Sequence, residues 1–236
     1  MDNDKQQHIA ITNSNVQVVP TASEASMNIN SATAQSAHAA PQYSTTQQQT
    51  SATIRHYITH DAVNVPELIR QARRYIVLHA AFYPKYGFDN QGDDVSKAMA
   101  KNPNLRLTAI FTDVNAPWVA EFAVTLRDYF AEEGKFASHL EITKEHFIRL
   151  RNQFGAKRIH IYDTARLPLF PVILIDDTLI VGHYAHSSVI PPNGLWFTIK
   201  HSKILSMYEC LLAGANPECD TPEEGAILRY LEELIV

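Results

Sequence analysis

Two kinds of hydrophobic pattern alternate along this chain. Apolar runs with no helical spacing occur at residues 75–82 (YIVLHAAF), 105–111 (LRLTAIF), 158–162 (RIHIY), 170–175 (FPVILI) and 179–181 (LIV). They read as strands, the most continuous of them covered on both faces. Residues 196–199 (WFTI) suggest one more, and the alternation over residues 53–60 suggests an edge strand or a lead-in. Between these runs, apolar positions recur every three or four residues. Asn64, with Pro66 in the first turn, opens a helix carrying Leu68, Ile69 and Ala72. Residues 94–100 predict a short helix. Val119, Phe122, Ala123, Leu126 and Phe130 predict a longer one, and residues 143–154 another, with Phe147 and Leu150 inward and Gly155 as its stop.

The chain's end carries the clearest local signals. Ile204, Leu205, Tyr208, Leu211 and Leu212 mark an amphipathic helix stopped at Gly214, and Cys210 within it reads as a small core residue. Thr221-Pro222-Glu223-Glu224 is a capping box with proline at the first helical position, leading into Ile227, Leu228, Leu231, Leu234 and Ile235. Strands that alternate with helices early and pair as a hairpin late predict an α/β (or α+β) fold, a mixed sheet flanked by helices.

Residues 1–50 depart from this pattern. They are rich in Ser, Thr, Gln, Asn and Ala, with no Trp, Phe or Leu. Such a composition cannot bury enough apolar surface to offset the entropy of ordering, so a disordered tail is expected ahead of one domain over residues 53–236.

Charge and cysteine content narrow the function. Asp2, Asp4 and Glu24 against Lys5 give the tail −2 of a total of −5, leaving −3 for the folded part. The densest basic stretches, residues 70–74 and 149–158, read as solvated faces, so no bulk nucleic-acid binding is expected. Cys210 and Cys219, with no CxxC spacing, predict neither a zinc site nor a disulfide framework. The first residues lack a basic start and an apolar core, and no apolar stretch is long enough to span a bilayer. The expectation is a soluble, cytoplasmic protein with no membrane association and no cofactor.

Residues 170–187 concentrate the candidate chemistry. A buried run, the acidic turn at Asp176-Asp177-Thr178, a second apolar run and Gly182 lead into His183, Tyr184, His186 and Ser187. With Asp113 past the end of one predicted strand and His160 on another, these six form the candidate ligand-binding set, because open sheets bind ligands at strand C-termini. Asp113 is equally suited to capping the helix that follows. The histidines lack a third acid for a metal site, and Ser187 lacks the G-x-S-x-G elbow of a hydrolase, so they read as hydrogen-bonding groups. His201-Ser-Lys203 spells HxK with no acid at the required spacing and reads as chance.

Residues 102–113 (NPNLRLTAIFTD), 158–162 and 170–187 resemble the strands of phospholipase D-like domains, a likeness in layout over residues 54–200. The resemblance implies a motif HxKxxxxD, in which histidine attacks phosphorus, lysine holds the phosphate and aspartate positions the histidine. With Asp176 as that aspartate, the other two positions fall on Leu169 and Pro171, and neither can do the work. The resemblance then implies a degenerate, non-catalytic sensor or adaptor, of the kind that would serve bacterial signalling or defence. Such a module would bind a small phosphorylated or nucleotide-like ligand, a protein partner or a second copy. The alternative is a divergent homodimeric phosphodiesterase or nuclease.

Overall fold

A computed structural model of the chain describes residues 51–79, 91–125, 135–183 and 194–236. The expected tail, the loop at residues 83–88, the end of the helix over 119–130 and the positions Tyr184, His186 and Ser187 lie outside them. Among the described residues, seven strands form one sheet: β1 (Thr53–Tyr57), β2 (Tyr75–His79), β3 (Arg106–Thr112), β4 (Ile159–Thr164), β5 (Val172–Ile175), β6 (Thr178–Val181) and β7 (Trp196–Lys200). Their order is β1-β7-β6-β5-β2-β3-β4. β2, β3 and β4 run parallel, and every other pairing is antiparallel.

The described helices are α1 (Val65–Gln71), α2 (Gln91–Lys101), α3 (Val119–Thr125), α4 (Lys135–Phe154), α5 (Ile204–Leu212) and α6 (Pro222–Glu232). Helices α1, α2 and α4 cover one face of the sheet. There Val65, Ile69, Val95, Met99, Leu140 and Phe147 pack on Ile76, Leu78, Leu107, Phe111 and Ile173. Helices α5 and α6 cover the other face, setting Ile204, Tyr208, Ile227 and Leu231 against Tyr75, Val77, Leu174 and Leu179. Strands β2 and β5 are apolar on both sides because a helix layer lies over each. The mixed sheet flanked by helices is therefore the fold that the hydrophobic pattern predicted.

Four local differences from the expected pattern appear. Helix α4 begins at Lys135, eight residues before the predicted start at 143; Leu140 and the buried Thr143 extend the stripe of Phe147 and Leu150, with the Thr143 hydroxyl bonded to the His139 carbonyl at 2.9 Å. Cys210 is only half-buried, so it is not a core residue. In the capping box, the Thr221 hydroxyl accepts from Glu224 N–H at 3.2 Å, but the Glu224 carboxylate reaches back to Asp220 N–H at 2.7 Å instead of its own cap residue. From the basic stretch 149–158, Arg158 points inward: its guanidinium donates to the Met99 and Asn102 carbonyls at 2.7 and 2.6 Å, closing the C-terminal end of α2.

The β5–β6 turn is anchored by Asp176. Its carboxylate accepts the N–H groups of Arg73 (2.8 Å), Arg74 (2.8 Å) and Tyr75 (3.0 Å), and its own N–H donates to the Tyr75 carbonyl at 3.0 Å. The residue sits at φ 51, a left-handed conformation that Asp and Asn tolerate better than most side chains. Replacing Asp176 with Ala removes the acceptor for three amides and places a methyl side chain at positive φ. The expected loss is about 2–4 kcal/mol, and Asp176→Asn should retain about half of it. Urea unfolding followed by circular dichroism measures both, and equal midpoints for wild type and Asp176→Ala would refute the assignment.

Candidate functional site at the C-terminal edge of the sheet

The candidate residues do not converge as a single group. His160 is the second residue of β4, near the strand's beginning, and its ring stacks on Tyr162 at 6.2 Å. Strands β3, β2 and β5 separate β4 from β6, so four strand spacings, about 19 Å, lie between the strands that carry His160 and His183. The expectation that His160 stands beside the later histidines fails on strand order: β4 is the sheet's outermost strand, and β5 crosses back to pair with β2. Asp113 does lie at the C-terminal edge, directly after β3. Its Oδ1 accepts the Asn115 backbone N–H at 2.9 Å and the Asn115 side-chain amide at 3.2 Å, and its carbonyl accepts from Ala116 at 3.0 Å. This is an Asx turn leading toward α3, which starts only at Val119, so the carboxylate is partly engaged by the turn.

His183 is exposed, two residues beyond β6, with the rings of Phe170 and Phe197 edge-on at 6.5 and 6.0 Å. Phe170 in turn meets Tyr230 of α6 at 5.7 Å. Gly182 before it is required by packing: a Cβ there would stand 2.8 Å from the Trp196 ring. Leu169 and Pro171, the expected counterparts of the histidine and lysine of HxKxxxxD, are exposed and buried respectively. Asp176 lies at the opposite end of β5, about 16 Å from Pro171 at strand rise, with its carboxylate bound to backbone amides. It therefore positions the start of β2 and nothing at residue 169, contrary to the role that the motif assigns.

The same edge holds a polar group that the sequence pattern concealed. His79 ends β2 and is 3% exposed. One ring nitrogen bonds to the Glu233 backbone, while Nδ1 has no partner among the described residues. Burial first, and then the nearby Arg166 charge, push the His79 pKa down to about 4, so the ring is neutral near pH 7. Arg166 donates to Glu233 Oε1 at 2.7 Å and to the Glu232 carbonyl at 3.4 Å, which fastens the end of α6 to the edge. His79 was legible only as one polar residue in an apolar run. The Arg166–Glu233 contact, 67 residues apart, carried no sequence signal.

His201 and Lys203 follow β7, whose end lies away from that edge. The buried His201 ring accepts the Lys203 N–H at 3.2 Å, and Lys203 Nζ reaches Asp220 at 2.5 Å and Glu224 at 3.0 Å. This HxK pair fastens the start of α6. Among the described residues, no three His, Cys, Asp or Glu side chains gather as metal ligands, and no helix is long and apolar enough to cross a membrane.

The edge of a mixed sheet, with two histidines, an arginine and an acid on or beside it, is thus the candidate site. No protein-family model matches the sequence, and no curated protein matches it. Among solved structures the chain is similar to phosphatidylserine synthase of Haemophilus influenzae Rd KW20, at 13% identity and a TM-score of 0.45 over 77% of this chain and 44% of that one. It is also similar to Nuc of Salmonella typhimurium, a phospholipase D family member (11%, TM-score 0.36, 70% and 91%). A third likeness is to the archaeal chromatin protein TrmBL2, whose structure is described as showing a novel mode of DNA binding (12%, TM-score 0.39, 69% and 50%). The chain spans about half the length of the synthase and of TrmBL2, and no residue's role passes from any of the three to this chain.

The depressed pKa of His79 makes stability depend on pH. An unfolded histidine titrates near 6.5, so between about pH 6.5 and 4 the unfolded chain takes up a proton that the folded chain refuses. This contribution is complete above pH 6.5, amounts to at most about 3 kcal/mol, and is lost progressively as pH falls toward 4. In His79→Gln the loss between pH 6.5 and 5 should shrink relative to wild type. Parallel unfolding free-energy curves for the two proteins over that interval would exclude it.

Proposed function

We propose that residues 53–236 form a single phospholipase D-like α/β domain that binds a ligand at the C-terminal edge of its sheet and does not cleave phosphodiesters through the motif HxKxxxxD. One observation carries the reading. Leu169 and Pro171 stand where an imidazole and an ammonium are needed, and Asp176 is committed to three backbone amides at the far end of β5. Neither nucleophile nor phosphate clamp is supplied at those positions. What the edge supplies is recognition chemistry: an exposed imidazole framed by two aromatic rings at His183, and the partly engaged carboxylate of Asp113. Such groups suit stacking and hydrogen bonding to a small phosphorylated or nucleotide-like ligand, the requirement of a sensor or adaptor module in the cytoplasm.

A second reading, a divergent homodimeric phosphodiesterase, is favoured by His79 at the end of β2, whose Nδ1 has no partner among the described residues. Incubation with bis(p-nitrophenyl) phosphate and with single- and double-stranded DNA and RNA, in chelator, separates the two. The expected result is no turnover above blank, together with binding of AMP that weakens at least fivefold in His183→Ala. Metal-independent cleavage that His183→Ala abolishes would replace the binding reading with the enzymatic one.

A further inference from the structure

At the other end of the sheet, a cleft of about 880 Å³ opens between α1, the C-terminal end of α2, the β5–β6 turn and the start of α5. Its volume suits a ligand of nucleotide size. Five cationic side chains line it, Arg70, Arg73, Arg74, Lys101 and Lys200, against the carboxylates of Asp176 and Asp177 alone. The balance is more positive still once the contacts are followed. The Asp176 carboxylate is turned into the backbone amides of residues 73–75. Asp177 stands 3.6 Å from Lys200, a loose pair between exposed groups.

The cations divide into two kinds. Arg70 is fixed by Glu67 at 2.7 Å and Asp94 at 3.1 Å, and Arg74 by Glu209 at 2.5 Å. Arg73 and Lys101 are exposed and have no carboxylate partner among the described residues. Two unneutralised cations around one concavity, with Lys200 loosely held opposite, repel each other, and a bound anion with several charges relieves that repulsion. Ser202 and Ser206 on the α5 side add hydroxyl groups to the wall. The folded chain is acidic overall, so this concentration of positive charge is local and not a reflection of composition.

We propose that this cleft binds an oligophosphate group, with Arg73 and Lys101 as its unpaired donors, Lys200 as a loosely paired one and Arg70 and Arg74 as the fixed part of a positive wall. The proposal is independent of the function argued above, whose site lies at the opposite ends of β2 and β5. The test uses the full chain, with tripolyphosphate and ATP as probes in isothermal titration at low and at physiological salt. Tripolyphosphate should bind, more weakly at higher salt, and its Kd should rise at least tenfold in the double variant Arg73→Gln/Lys101→Gln while Arg149→Gln, at an exposed cation outside the cleft, leaves it unchanged. Both substituted positions are exposed, and circular dichroism verifies that the variant is folded. Unchanged tripolyphosphate binding in the double variant, absence of tripolyphosphate binding by wild type, or an equal loss of it in Arg149→Gln would each overturn the proposal.

Discussion

The carboxylate of Asp176 is the constraint on which the arrangement of this sheet depends. By accepting three consecutive amides at residues 73–75, it ties the β5–β6 turn to the first residue of β2, and the reciprocal bond from its own N–H to Tyr75 closes the contact. The antiparallel register of β5 on β2 begins beside it, at Ile76 opposite Ile175. A slip of one residue would exchange the side chains on the two faces of β5. Because both faces are buried under different helices, that exchange would misfit two cores at once. One residue of left-handed backbone thus fixes where the parallel half of the sheet joins the antiparallel half. The work of Asp176 is therefore in the scaffold.

The last helix is held by polar groups at both ends as well as by its apolar stripe. At its start, Glu224 faces Lys203 and lies 3.8 Å from the buried His201 ring; just past its end, Glu233 holds Arg166 and bonds through its backbone to His79. Apolar burial by Ile227 and Leu231 supplies most of the docking energy, but it is not directional. The polar contacts set the helix's axial position, because a shift of one turn would strand buried charged groups without partners. This clasp covers the imidazole of His79, and burial is what keeps that ring neutral.

The strands were legible because burial on both faces leaves continuous apolar runs, as in 75–79 and 172–175, and the last helix because its cap residues are local. What could not be read was the order of strands. β4 and β5 are consecutive in the chain yet separated in the sheet by β3 and β2, so a grouping of His160 with His183 made from chain proximity placed together residues that the sheet holds apart. Asp113 illustrates the opposite case. Its two readings, ligand group or cap, were both local, and the structure resolves them into an Asx turn at an otherwise suitable edge. His79, Arg166 and Glu233 come from β2, the segment after β4 and the chain's end, and no periodicity links three such distant positions.

The two ends of the sheet differ in how they would hold an anion. At the C-terminal edge the Arg166 guanidinium is already engaged by Glu233 and a carbonyl, and the His79 ring is neutral near pH 7, so an anion there would rely on hydrogen bonds and aromatic contact. At the opposite end, Arg73 and Lys101 have no carboxylate partner among the described residues, while the Asp176 carboxylate in the same cleft is held by amides. The usual preference of open sheets for ligands at strand C-termini comes from parallel strands whose loops gather at one end. Here only β2, β3 and β4 are parallel, and the antiparallel β5, β6 and β7 deliver loops to both ends. A mixed sheet can therefore carry chemistry at either edge, and in this chain the distribution of free charge favours the end that an all-parallel sheet would leave unused.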